Sequence, residues 1–211
     1  ALAAEPADTD EFLVSDAGVL KRIDYSLIKG GGGLVHIKTQ TISSGVTSVD
    51  FNNGSSDVVF DSTYNAYKLI VSDLRIATDN QKLHMRYSTD AGSNYLTGNY
   101  DFTGMTRTSN GGADDFSGNG DSDIRIHQTG LGNASDESMG LEMVFHKPSS
   151  TDTHKLVHGT IVGIEQSGHT LSGYFSGTND GSVAAITGFQ IRSGSGNIVR
   201  GNFSLFGIVN S

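Results

Sequence analysis

The heptapeptide KLHMRYS (Lys82 to Ser88) sets Leu83, Met85 and Tyr87 against Lys82, His84 and Arg86. A period of two sends alternate side chains to opposite faces, so this stretch predicts a half-buried strand with its three apolar residues inward. The same alternation runs through LVHIKTQTI (Leu34 to Ile42) and GVTSVDF (Gly45 to Phe51). NAYKLIVSDL (Asn65 to Leu74) has a more continuous apolar centre, which predicts burial on both faces. Further strands are expected over 123–128, 140–146, 155–165, 170–175, 185–192 and 197–209. No segment of useful length carries a 3.6-residue apolar period. Glycine supplies 28 of 211 residues and proline 2, and Gly, Asn, Ser and Asp separate the strand-like runs. About ten strands joined by such turns predict an all-β fold: an antiparallel β-sandwich, jelly-roll-like, with a closed barrel as the alternative. The absence of a repeat of constant period argues against a propeller or a β-helix.

The first thirty residues read differently. Two short apolar pieces, Phe12 to Val14 and Val19 to Tyr25, flank the turn-forming SDAG at Ser15 to Gly18. Four glycines, Gly30 to Gly33, follow as a flexible joint. Residues 1–29 are therefore read as an extended N-terminal arm, 30–33 as a hinge and 34–211 as the sandwich. A first hairpin of the same domain is the alternative for the arm. Phe12, Leu13, Val14, Leu20, Ile23, Tyr25, Leu27 and Ile28 would be too exposed on a free arm. They predict assembly contacts with other copies of the chain or with a larger body.

Charge and composition narrow the function classes. The formal net charge of −9 opposes non-specific attraction to nucleic acid or to an anionic membrane face. No apolar stretch approaches the length of a membrane span, so no membrane insertion is expected. The segment ALAAEPADTD has neither a basic n-region nor an apolar core, and is not expected to be an intact signal peptide. With no cysteine, the chain can form no disulfide framework, thiol nucleophile or thiolate metal site.

Candidate chemistry is sparse. STDAGSNY (Ser88 to Tyr95) fits the Ser-x-Asp-x-Gly-x-x-aromatic pattern of an Asp-box-like turn. There Asp90 would accept backbone hydrogen bonds, Gly92 would take a positive φ, and Tyr95 would pack beneath; those demands are structural. The pattern occurs once, and the seven arginines are scattered rather than clustered, so sialidase chemistry is not expected. Ser109 to Asp123 reads as a long polar loop, where Asp114, Asp115, Asp121 and Asp123 offer hard oxygen ligands without the spacing of an EF-hand. HKLVH places His154 and His158 four apart, which on a strand separates them by about 13 Å, too far to share one ion. No H-E-x-x-H, G-x-S-x-G elbow, P-loop or dinucleotide fingerprint is present. Hence no catalytic residue, metal or cofactor is expected. Tyr95, Tyr100, Asp114 and Asp115 are the candidate glycan-contact surface, because a phenol offers a ring face and a polar tip. The competing reading places the tyrosines of this region in the core.

The tail is the most telling part. GYFSGTNDGSVAAITGFQIRSGSGNIVRGNFSLFGI (Gly173 to Ile208) resembles the C-terminal end of β-sandwich domains in tailed-bacteriophage structural proteins. The resemblance is carried by Ala185 to Ile191, Ser195 to Ile198 and Gly201 to Ile208. Tyr64 to Tyr95 resembles the corresponding middle section, and DEFLVSDAGVLKRIDYSLIK is similar to stretches that precede such domains in phage fibres. It implies a non-enzymatic virion protein: a tail fibre or spike component, or a capsid decoration protein. A homotrimer, contacts with other virion proteins and attachment to a host surface glycan are implied in the same way. A secreted bacterial lectin-like adhesin on the same sandwich is the rival outside that class.

Overall fold

The computed structural model describes residues 6–7, 9–25, 33–55 and 57–209. They fall into two units, divided between Gly33 and Leu34. Among the described residues the strands are β1 (Glu11–Asp16), β2 (Val19–Asp24), β3 (Leu34–Ile42), β4 (Ser48–Asn52), β5 (Ala66–Ile76), β6 (Leu83–Ser88) and β7 (Tyr100–Thr108). They continue with β8 (Ala113–Asp121), β9 (Ile124–Arg125), β10 (Met139–His146), β11 (Leu156–Ile164), β12 (Thr170–Asn179), β13 (Gly188–Ser193) and β14 (Ile198–Ile208). All pairings are antiparallel, and the protein is all-β.

The N-terminal unit is a β-hairpin rather than a single extended run. β1 and β2 pair from Glu11↔Asp24 to Asp16↔Val19, leaving Ala17 and Gly18 as a two-residue loop. Both take positive φ, 49° and 83°, the type I′ geometry whose twist matches the flanking strands. Phe12 stacks at an angle on Tyr25 with centroids 5.9 Å apart. Leu13 and Leu20 are 71% and 72% exposed. Gly30 to Gly32 of the expected hinge, and the arm residues Leu27 and Ile28, lie outside the described residues.

The larger unit holds two sheets. One has eight strands in the order β3-β14-β5-β10-β11-β12-β7-β8, and the other four in the order β4-β13-β6-β9. The core lies between them, as alternation demands: Tyr67, Leu69 and Val71 of β5 face Val49, Phe51, Phe189 and Ile191 from the smaller sheet. Phe189 is the keystone, stacking on Phe51 at 5.2 Å and on Phe145 at 4.4 Å, so β13 and β10 lock one sheet to the other. The expected alternation in β6 is observed, with Leu83, Met85 and Tyr87 buried. The expectation for β5 needs correcting. Lys68 and Ile70 are only half-buried and Ser72 is exposed, so the strand buries one face, not two.

Two strands escaped the sequence reading. The supposed loop 109–123 is mostly β8, an edge strand paired to β7 from Tyr100↔Asp121 to Arg107↔Ala113. In ADDFSGNGD only Phe116 is buried, so no apolar alternation announces the strand. β7 was masked similarly: its inward positions are Tyr100, Phe102, Gly104 and Thr106, and the apolar signal fades halfway along. In the opposite sense, the strand expected over 123–128 shrinks to β9, two residues long. The chain beyond it, through Ile126, His127 and Leu131, covers the inner face of β11, β12 and β7. Gly177 of β12 makes room for this, since a Cβ there would stand 2.9 Å from Ile124.

Candidate functional site

Ser88 to Tyr95 is a tied turn. Ser88 Oγ donates to Asp90 Oδ1 at 2.8 Å and accepts from the Gly92 amide at 2.9 Å. Asp90 accepts from the Asn94 amide at 2.9 Å and from its side chain at 2.8 Å. The Asn94 side chain, the Asn94 amide and the Ser88 hydroxyl hold the Asp90 carboxyl below its usual range. Gly92 has φ +84° and a Cβ there would collide with Asn52. The Tyr95 hydroxyl is bonded to Asn52 at 2.9 Å, and burial pushes its pKa up to about 12. The side chains of Ser88, Asp90, Asn94 and Tyr95 are all engaged in holding the chain.

The four residues proposed as a glycan surface do not form one. Tyr100 is fully buried, its hydroxyl accepting the Tyr87 amide at 2.7 Å, because β7 turns it inward. Asp114 and Asp115 are exposed but adjacent in β8, and so face opposite sides of the sheet. Asp114 Oδ2 is engaged by the Thr129 hydroxyl at 2.8 Å. Tyr95 belongs to the turn after β6 in the other sheet. Tyr67 and Phe102 are also buried, and Tyr64 packs edge-on against Tyr67, which answers the core reading of these aromatics.

Asp123 proves to be a structural anchor. It is nearly buried and receives His84 Nδ1 at 2.7 Å, Arg86 at 3.4 Å and a close contact from Arg192. Burial would raise its pKa, but the hydrogen bonds and charges of His84 and Arg192 outweigh this and hold the carboxyl far below its usual range. Those cations alternate outward on β6 and β13, where register sets Arg192 beside His84 and Gln190 beside Arg86. Beneath them His127 is fully buried, accepting the Leu83 amide at Nε2 (2.9 Å) and facing the Thr129 carbonyl from Nδ1 (2.8 Å). Only the neutral Nδ1–H tautomer satisfies both. Among the described residues, no three of His, Asp and Glu converge as a metal-holding group.

A concavity lies elsewhere, on the outer face of the eight-stranded sheet. It measures about 480 Å³ and runs over β10, β11, β12, β7 and β8. Register builds its floor: His158, Ser176 and Thr103 form one cross-strand row, and Leu156, Thr178 and Asp101 the next. His146, at the end of β10, pairs with Leu156 and lies diagonally from His158. The two imidazoles approach to 3.1 Å between Nε2 of His146 and Nδ1 of His158. Burial, then the charge of His158, lowers the His146 pKa. A second groove of about 420 Å³ on the same face includes Met105, Thr160 and Tyr174. Tyr174 in that groove and Val162 of β11 are each 56% exposed. His154, set aside from the sequence as too far from His158 to share an ion, lies before β11, whereas His146 reaches His158 from the neighbouring strand. The outward Leu156 and Val162 were the visible signal, since a half-solvated strand rarely carries both.

An antiparallel, all-β protein with two facing sheets is the class these observations define. No family model matches the chain, and no curated protein does. Among solved structures, a crystal structure of the infectious bursal disease virus VP2 subviral particle is returned at 11% identity and a TM-score of 0.16. The alignment covers 96% of this chain and 47% of that one, so the chain spans about half its length. At that TM-score the likeness carries no argument.

Proposed function

We propose that this chain is a non-enzymatic structural protein of a bacteriophage virion: a self-associating tail-fibre or appendage component that helps hold the particle to a host surface glycan. The observation that carries the reading is the pairing of eight strands. β3 pairs with β14, β4 with β13, β5 with β10 and β6 with β9. These are nested pairs, the pattern of one long hairpin rolled into two facing sheets, which supports a jelly-roll reading. Jelly rolls recur in viral shells and in lectin domains, where they serve packing and attachment. Some jelly rolls enclose a ligand between the sheets, but here Phe51, Phe145 and Phe189 fill that space. The hairpin of β1 and β2 adds support for assembly. A two-stranded hairpin is marginal alone, and Leu13, Val19 and Leu20 are left exposed.

The test replaces Leu13 and Leu20 by Asp together, two residues on one hairpin face, in the full chain. Light scattering should show an oligomer for the wild type, a trimer being what the sequence resemblance implies. The double variant should be a monomer with an unchanged far-UV spectrum. A wild-type chain that remains monomeric at high concentration would overturn self-association. Its absence from purified particles would overturn the virion assignment. Few copies per particle, located on the tail, support the appendage; a shell-covering copy number would replace it with capsid decoration.

A further inference from the structure

We propose that His146 and His158 form a chelating site for a divalent transition-metal ion of the zinc and copper class on the outer face of the eight-stranded sheet. Register creates the pair. Val144 is opposite His158 and His146 opposite Leu156, so the two histidines are diagonal neighbours on one face. Their rings are within 18° of parallel with centroids 5.1 Å apart, and the facing nitrogens are 3.1 Å apart. An ion at about 2.05 Å from each nitrogen would subtend about 100°, between square-planar and tetrahedral angles. Two imidazoles crowded to this distance must either share one proton in a hydrogen bond or share an ion. Both side chains are exposed to the groove, so water can complete the coordination sphere.

The chemistry selects the ion. Imidazole nitrogen suits zinc, copper and nickel, whereas calcium and magnesium require oxygen cages. The carboxylate lining this groove, Asp101, stands on β7, beyond β11 and β12, and accepts the Gly120 amide at 2.9 Å. A metal ligand must be the free base, so protons compete with the ion for both nitrogens. The inference is independent of the virion reading, because it needs only the two rings.

The experiment is calorimetric titration of zinc chloride into the full, tag-free chain at pH 7.5, repeated at pH 5.5. The wild type should take up one ion per chain. His146→Gln and His158→Gln should each weaken binding about tenfold or more, and His154→Gln should leave it unchanged. At pH 5.5 the wild-type affinity should fall by about tenfold or more, because metal binding must displace protons. Both substituted side chains are exposed, so far-UV circular dichroism should be unaltered. No heat of binding in the wild type, or binding undiminished in the His146→Gln/His158→Gln double variant, would overturn the site.

Discussion

Acidification should destabilise this protein through His127 before its carboxylates contribute much. The side chain is fully buried and held neutral by the Leu83 amide and the Thr129 carbonyl. Burial is the largest cause of its lowered pKa, and the charges of His84, Lys82 and Arg125 add to it, bringing it to about 4. In the unfolded chain the imidazole returns to about 6.5. Between those values the unfolded state binds the proton and the folded state refuses it. Stability is therefore full above pH 6.5 and falls as the pH drops towards 4. For one such group the loss is about 2 kcal/mol between pH 7 and pH 5, and about 3 kcal/mol by pH 4. The assay is urea unfolding at pH 7, 6 and 5, followed by far-UV circular dichroism because the chain has no tryptophan. His127→Gln keeps an acceptor for the Leu83 amide and has nothing to titrate. It should be less stable at pH 7 but flatter with pH, with about 2 kcal/mol of the wild-type slope gone. Parallel slopes in the two proteins would refute the reasoning. Should the variant fail to fold, an NMR titration of the wild type placing His127 near 6.5 would refute it equally.

Three further outcomes follow from the packing. Phe189→Ala, which removes the ring between Phe51 and Phe145, should cost about 3–5 kcal/mol in the same urea assay. Asp123→Asn leaves Arg86, Arg192 and His84 without their carboxylate and should cost about 3 kcal/mol at pH 7; because the carboxyl pKa is depressed, that difference should shrink as the pH falls below about 3.8. Gly92→Ala, at φ +84° and against Asn52, should cost about 1–2 kcal/mol, read as a lower melting temperature.

What could be read from residues alone was whatever alternation encodes. β6 and β10 are legible because a period of two with large apolar residues permits one half-buried arrangement. β8 is illegible because an edge strand with one buried side chain has no pattern to show, and its glycines and aspartates are what a loop would also use. The turn at Ser88 to Tyr95 could be read because its demands are local: an Asp acceptor, a positive φ and an aromatic. The pairing of His146 with His158, and of Asp123 with His84, Arg86 and Arg192, could not. Each depends on which strands become neighbours, at separations of 12 to 69 residues. Tyr100 failed for a related reason. Surface and core readings both stood for it and its aromatic neighbours until β7 became a strand, which fixed the face it points to.

Under the proposed self-association, the strand order also constrains how copies of this chain would meet. Removing the nested pairs leaves β7–β8 and β11–β12, two hairpins inserted between successive strands of the roll, and both join the same sheet beyond β10. They double that sheet's width, and both grooves lie mainly on the outer face of the enlarged part, with the histidine pair at its border, between β10 and β11. Unpaired edges ordinarily invite sheet-to-sheet addition, and this sheet ends in β3 and β8, of which β8 bears Asp114, Asp115 and Asp121. Two such edges brought together in a chain of net charge −9 would repel. Association by strand addition at β8 is therefore disfavoured, whereas the outer face offers Leu156, Val162 and Tyr174 and the hairpin offers Leu13 and Leu20. A chain that assembles from these surfaces does so through side chains, and charge substitutions at Val162 or Tyr174 should disrupt it while Asp115→Asn should not.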